Sequence, residues 1–557
     1  MPLSLEQYQS DSLLAKPEEG WVFAAGGLGR VEEHWNKSWS RLVDIHSRHG
    51  VWIYYLRVSS GGEPAKISLS GTGNVTLALE SDEFGILLGA EREEGRYTLW
   101  LPPASGRLRF DEHQRIAAPW RALASCQWEF QPHIRVSVSR PDRTGEVIVV
   151  PYVMLQDPHG QFFEELRSLS DVERRLYRKS EWFFARTPSD VWNYLINGSI
   201  YDPRSDNKVG KRFKCQQCAY AWWIYFDFLY GETGKKIYEV MQDEIALSVL
   251  MDMSAEGGWR HGFWSDDMET HARFQLDGLH LLISQHEKTG EPIWLEAAER
   301  GMAFVFEHLT EQLDDGSLWF LHDTIEHNKR HRFESTVFGK NAGNSLCINT
   351  HVQALTVLYR LHIAIPSKPI YGAMFEKGAS ALRRVLSYQP ADLLYRLLMF
   401  LVLRYKADVA VNSTQGGLKN ILKGRIIRRA YWSARRWFPR LVQPGGFIER
   451  DLTRSFASDR YHIINTKDLL LLYQQKPLAW LRPLIGNGTT FAREFVRDLG
   501  VAAAVKHSPY YIELVDILYL YDKLIASVPS AEIDSMEEKI YQQTGGYSLD
   551  YSTSELV

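Results

Sequence analysis

The period of apolar positions changes near residue 160. Before it, apolar and polar residues alternate in short runs: Val51 to Val58, Ala65 to Leu69, Asn74 to Leu79, Arg96 to Leu101, Ile134 to Val138 and Glu146 to Val153. A period of two marks strands with one buried face. Turn formers such as Ser60-Gly61-Gly62, Gly71-Thr72-Gly73 and Pro102-Pro103 separate the runs, which predicts a β-sandwich. The stretch Val31 to Ser47 reads instead as a helix leading into it. From Gln161 onward apolar residues recur every three or four positions, predicting a succession of helices down to about residue 543. Leu276, Leu279, Leu281, Leu282 and Ile283 are apolar on more than one face, as expected of helices in an inner ring.

A glycine–aromatic–charge signature precedes successive helical stretches. It reads Gly257-Gly258-Trp259-Arg260-His261, then Asp315-Gly316-Ser317-Leu318-Trp319 with His322-Asp323, then Gly445-Gly446-Phe447-Ile448-Glu449-Arg450-Asp451. The interval from Gly258 to Gly316 is close to half that from Gly316 to Gly446, so the period fits one helical hairpin with its loops. A weaker echo pairs Asn349-Thr350-His351 with Asn465-Thr466-Lys467. Together they predict a ring of α-hairpins with aromatic and ionisable loops around a common mouth. The predicted organisation is α+β and multidomain. A β-sandwich with its leading helix covers 1–155, an (α/α)6-type helical toroid 156–545, and a polar tail 546–557.

Bulk properties narrow the function classes. A length of 557 residues exceeds one small core, and a net charge of −4 argues against bulk nucleic-acid binding. Four cysteines do not make a disulfide framework, and no basic-then-apolar leader or spanning apolar window is present. A cytoplasmic location is expected, with peripheral contact on the inner face of the membrane open to one segment. That segment, 404–440, carries Lys406, Lys419, Lys423, Arg425, Arg428, Arg429, Arg435 and Arg436 interleaved with Ile421, Leu422, Ile426, Ile427 and Trp432. Such a helix lies on an anionic membrane, grips an anionic polymer, or is a solvated outer helix.

Two clusters carry candidate chemistry. In Trp264 to Gly278, Asp266 or Asp267 suits a helix N-cap, and Glu269, Arg273 and Asp277 follow at ion-pair spacing. The functional alternative turns Asp267, Glu269, His271 and Arg273 toward the mouth, Arg273 holding a substrate carboxylate. The second cluster is His322, Asp323, Glu326, His327, His331, Arg332 and Glu334. Histidine beside a carboxylate suits acid/base work near neutrality. No HExxH order or third ligand supports a metal, and Cys215-Gln216-Gln217-Cys218 reads as buried small residues opening a helix. No P-loop, GxGxxG or GxSxG is present, so no cofactor or metal is expected.

The helical half resembles the six-hairpin (α/α) toroids of carbohydrate-active proteins. It is most similar to the C-terminal domain of D-glucuronyl C5-epimerases. The similar stretch runs from Gly257 to Leu386 through Lys288-Thr289-Gly290, Trp294 to Ala298, Leu346 to Asn349, Met374 to Gly378 and Leu382 to Leu386. The resemblance implies an enzyme on a polymeric or lipid-linked, uronic-acid-containing glycan, abstracting the C5 proton as an epimerase or lyase in polysaccharide biosynthesis or modification. Expected catalytic residues are His271, His322, Asp323, Glu326 and Asp267. Expected substrate contacts are Trp259, Arg260, Trp264, Arg273, Trp319, Asn349, His351, Glu449 and Arg450. The alternatives are a two-carboxylate glycoside hydrolase and a non-catalytic glycan-assembly or glycan-binding protein at the inner membrane.

Overall fold

The computed structural model describes residues 18–544 except 26, 37–38, 60–64, 70–74, 82–84, 93–94, 103–105, 118–121, 124–125, 130–133, 139–143, 177, 180–182, 204–209, 265, 328–345, 388–447 (where 422, 426, 429 and 430 are described), 449–458 and 508. The chain forms two compact units. The first comprises residues 1–269 and 280–298, the second 270–279 and 299–557.

The first unit is built on a ten-stranded antiparallel sheet. Its continuous path starts with β1 (Glu18–Ala25), β2 (Leu28–Asn36), β3 (Trp39–His46) and β4 (Val51–Ser59). The long C-terminal strand of this region, Glu146–Gln156, pairs antiparallel with β4 and continues the sheet toward Gly95–Leu101, Gly85–Arg92 and Val75–Ser81. A separate three-stranded sheet joins Cys126–Glu129, Ile134–Val138 and Ala65–Leu69. The six runs read from alternation lie on strands, while strands such as Glu18–Ala25, Leu28–Asn36, Trp39–His46, Gly85–Arg92 and Cys126–Glu129 are not among them. Alternate residues Trp52, Tyr54, Leu56 and Val58 meet Leu99, Leu101, Ile148, Val150, Tyr152 and Met154 in one core. Val51, Ile53 and Tyr55 on the other face of β4 are equally buried. A strand buried on both faces reads as a continuous apolar run.

The leading helix expected over 31–47 is corrected: β2 and β3 form a hairpin there. Glu33 and Arg41 stand directly opposite each other across this ladder, as do Arg30 and Asp44. Both pairs are buried ion pairs at 2.5 Å. Charges that a helical reading spreads over solvent-facing turns are cross-strand partners here. Arg41 also donates to the Tyr152 hydroxyl at 2.9 Å. The hairpin is tied to the following helices. His46 and Tyr55 both bind the buried Glu244 carboxylate, at 2.9 and 2.6 Å.

Helices follow as predicted by the longer period, although the stretch 161–200 yields only short pieces. These are α1 (Gln161–Arg167), α2 (Asp171–Arg175) and a 3-10 turn at Pro188–Asn193. Among the described residues the long helices pair as antiparallel neighbours in sequence. They are α3 (Gln216–Thr233) with α4 (Lys236–Met251) and α7 (Ile348–Ala364) with α8 (Ile370–Leu386), and α5 (Ala272–Thr289) and α6 (Pro292–His308) lie between them in sequence. α9 (Asp459–Gln475) with α10 (Leu481–Leu499) follows, and then α11 (Val501–His507), α12 (Leu514–Leu524) and α13 (Ser530–Thr544).

The second unit shows how hairpins repeat. On α7, His351 accepts the Phe320 N–H through Nδ1 at 3.1 Å and donates from Nε2 to the Gly378 carbonyl of α8 at 2.9 Å. On α9, His462 accepts the Ile448 N–H at 3.1 Å and donates to the Gly488 carbonyl of α10 at 3.0 Å. Gln275 on α5 reaches the Gly301 carbonyl of α6 in the same way, at 3.3 Å. Each first helix thus grips a glycine of its second helix. A Cβ on Gly378 would lie 2.5 Å from Leu355 Cδ2, and one on Gly488 3.1 Å from Thr466 Oγ1. Only the missing side chain lets the two helices approach this closely. Leu355 and Thr466 each follow the gripping histidine by one turn, so the repeat aligns His351 with His462. The sequence echo that set Asn349-Thr350 against Asn465-Thr466 is out of register with it.

Candidate functional site

The second unit gathers ionisable groups where the glycine loop of Gly316 meets the start of α5. Leu318–Phe320 pairs with Thr310–Gln312 as a short ribbon. The chain then runs through His322 and Asp323, and His271 bridges Asp323 as an isolated antiparallel pair. Two backbone bonds and one to a side chain fix this junction: Ala272 N–H to His322 O at 2.9 Å, Thr324 N–H to Thr270 O at 3.0 Å, and Thr270 N–H to Thr324 Oγ1 at 3.0 Å. The imidazoles of His271 and His322 are consequently edge to face, with centroids 4.4 Å apart. His271 also stacks on Phe274, at 4.4 Å.

His322 Nδ1 lies 2.8 Å from Asp323 Oδ2. A carboxylate accepts only, so Nδ1 carries the proton and the neutral ring keeps its lone pair on Nε2. Glu326 braces the turn by accepting the His322 backbone N–H at 2.8 Å. His271, His322, Asp323 and Glu326 are all buried, and their loop is held by backbone bonds rather than by side-chain chance. The structure brings these four predicted residues together.

Arg273, one position into α5, points elsewhere. Its guanidinium holds Asp468 of α9 with two bonds, at 2.6 and 3.2 Å, and reaches the Asn349 carbonyl at 3.4 Å. Burial opposes its charge but Asp468 outweighs this, so its pKa rises above the ordinary arginine value. Asn349, at the start of α7, thus contributes its backbone, while its side-chain Oδ1 lies 2.9 Å from Cys347 Sγ. Asp468, Asp277 and Gln353 belong to this junction and were not foreseen as a group. Asp468 follows Asn465-Thr466-Lys467, so the echo pointed at the right helix and stopped short of the residue.

Other predicted contacts belong to the fold. Trp319 is fully buried and stacks parallel on His351 at 4.0 Å. Both nitrogens of His351 serve backbone groups, and burial pushes its pKa down to about 3. In the first unit, Trp259 is buried and donates to the Val249 carbonyl at 3.0 Å. Trp264 is half-buried, packed edge-on to Phe263 at 4.3 Å, and its backbone N–H is received by Glu269. Arg260 is exposed and pairs with Glu256 at 3.3 Å, and Asp267 is exposed. Asp266 is the loop residue with a strong anchor: Arg115 meets it at 2.5 Å and Lys211 at 3.1 Å. Left-handed backbone at Gly262 (φ 60) and Met268 (φ 54) turns this loop. Glu449, Arg450, His331, Arg332, Glu334 and the polar tail lie outside the described residues, as does the basic segment apart from Leu422, Ile426, Arg429 and Ala430. Among the described residues no group of three or more His, Cys, Asp or Glu is placed to hold a metal ion. No helix among them is long and apolar enough to cross a membrane.

No protein-family model matches the sequence. No curated protein matches it either. Solved structures with partial likeness include an unsaturated glucuronyl hydrolase from Bacillus sp. GL1, responsible for the degradation of glycosaminoglycan. It is 11% identical over 50% of this chain and 61% of that one, with a TM-score of 0.31. D-mannose isomerase is 14% identical over 62% and 76%, with a TM-score of 0.32. Cellobiose 2-epimerase from Spirochaeta thermophila is 12% identical over 54% and 78%, with a TM-score of 0.28. The chain spans less than two thirds of the hydrolase's length.

Proposed function

We propose that the chain is a carbohydrate-active enzyme acting on a polymeric or lipid-linked, uronic-acid-containing glycan, and that it removes the C5 proton as an epimerase or lyase. In this reading the helical hairpins belong to an (α/α) toroid whose glycine loops face the glycan. One observation carries the chemistry: the His322–Asp323 pair at 2.8 Å with the His271 ring 4.4 Å away. Two imidazoles, one oriented by a carboxylate, supply a base and an acid near neutral pH. His322 Nε2 takes the proton, Asp323 stabilises the imidazolium that forms, and His271 delivers or receives the second proton. Glu326 holds the loop. Arg273 is closed on Asp468, so it recognises a substrate carboxylate only if that ion pair opens. The glycosidase alternative loses support for the same reason of prior engagement, because Glu326 spends its carboxylate on the His322 backbone.

The test is solvent exchange. Incubating the protein in deuterated water with a panel of uronans should place deuterium at C5, read by NMR, and His322→Ala should abolish it. No exchange on any uronan would sink the reading. A surface role is favoured by a separate observation: Leu422 and Ile426 are helical and 58% and 62% exposed, one turn apart. They sit in a stretch whose sequence is strongly basic, which suits an anionic membrane. Vesicle sedimentation with Leu422→Glu and Ile426→Glu would check it.

A further inference from the structure

Asp277 lies one turn beyond Arg273 on α5, outside the histidine cluster. Its residue exposure is 7%, and that of Gln353 on α7 is 6%. Gln353 Nε2 donates to Asp277 Oδ1. Asp277 Oδ2 and Gln353 Oε1 are both buried, and neither has a hydrogen-bond partner among the described residues. An ionised carboxylate cannot resolve this, because both leftover atoms only accept. The surrounding charges point the same way. From α5 the cation is Arg273, and from α9 the carboxylate is Asp468, which takes Arg273 with both oxygens. The neighbouring Lys467 is committed to Asp516 at 2.7 Å and Glu513 at 3.4 Å. From α7 come the neutral Gln353, the Asn349 carbonyl and the Cys347 thiol beside Arg273. Among the described residues one cation therefore faces two buried carboxyl groups, and a buried charge without a partner is costly. A single proton removes the excess charge and turns one acceptor into a donor.

We propose that Asp277 is a neutral carboxylic acid below neutral pH, joined to Gln353 as an acid–amide pair in which the amide donates to Oδ1 and the acid hydroxyl donates to Oε1. Asp277 is then a positioning residue. By remaining protonated it leaves Arg273 wholly to Asp468 and fixes α5 against α7 and α9, so that the start of α5 carries His271 in place. Loss of the proton puts a second anion beside Arg273 and strips the pair of one hydrogen bond. Burial supports the protonated state, pushing this carboxyl up to about 7 against the pull of Arg273. A carboxyl raised from 3.8 in this way binds its proton more tightly folded than unfolded. Its contribution is intact at low pH and is lost as pH rises through about 7.

The experiment is denaturant unfolding of the full chain and of Asp277→Asn at pH 5, 6, 7 and 8. Asparagine mimics the neutral acid and still donates to Gln353. Between pH 5 and pH 8 the folded-to-unfolded ratio of the wild type should fall by roughly a hundred-fold relative to the variant. That difference separates Asp277 from other buried acids such as Asp44, which both proteins retain. Gln353→Leu should cost most at pH 5, where the pair is complete. Parallel pH curves, or an Asp277→Asn protein as weakened at pH 5 as at pH 8, would overturn the proposal. So would failure of Asp277→Asn to fold, since a neutral isostere of a neutral acid should be tolerated. Uronan exchange assays play no part in these outcomes, so the assignment stands or falls apart from the proposed reaction.

Discussion

His351 and His462 on one side, and His271 and His322 on the other, are all buried in the second unit, yet the fold uses the two sets in opposite ways. The first set sits inside helical hairpins, one ring nitrogen receiving a loop N–H and the other feeding a glycine carbonyl. The second set sits at a loop junction, where the two rings meet edge to face and His322 meets Asp323. A histidine spent on backbone is a hairpin clasp. A histidine whose tautomer is set by a carboxylate is equipped for proton transfer. Residue type and burial are the same in both, and the partner atom makes the difference.

Removing a clasp gives the largest expected effect. His351→Ala leaves a buried N–H and a buried C=O unpaired and opens a cavity beside Trp319. It should cost about 3–5 kcal/mol in denaturant unfolding, and His462→Ala should behave alike. A cost below about 1 kcal/mol would break the comparison. His322→Ala should lower turnover by about 10²–10⁴, in addition to a stability cost from leaving the buried Asp323 without its imidazole. This is measurable as C5 exchange alongside unfolding of the same sample. The glycine partners sharpen the repeat. Gly378→Ala drives a methyl to 2.5 Å from Leu355 and should cost about 1–3 kcal/mol, whereas Gly488→Ala, at 3.1 Å from the smaller Thr466, should cost less. Equal costs would say that the two glycines are packed equally closely, against the 2.5 and 3.1 Å approaches.

The last test is a pH slope. Burial lowers His351 from 6.5 to about 3, so the unfolded chain binds a proton there that the folded chain refuses. Stability from this group is complete above pH 6.5 and declines as pH falls toward 3, by up to about tenfold in the folded-to-unfolded ratio per pH unit. His351→Gln should flatten that slope.

The sequence made much of the β region legible because short runs of β-branched and aromatic residues between turn formers, continuous on β4, are too short to fill a helix. It misled at 31–47, where Glu33 and Arg41 take a spacing that suits a helix face as well as a hairpin. The glycine loops were legible as a repeat, but their chemistry was not. Trp259 and Trp319, read as sugar platforms, carry the same letters whether an indole faces solvent or lies in a core. His271, His322, Asp323 and Glu326 were found because ionisable density is written in the chain. Asp277, Gln353 and Asp468 were not found as a group, because they come from three helices far apart in sequence.

What the chain determines alone is local: the change of period near residue 160, the glycine turns and the succession of helices, each set by interactions between near neighbours. What only tertiary structure decided is which buried polar atoms face each other. That choice assigned His351 to Gly378, Arg273 to Asp468 and His322 to Asp323. The physical reason is that a buried donor or acceptor must find a partner wherever the packing places one, and packing is a property of the folded chain.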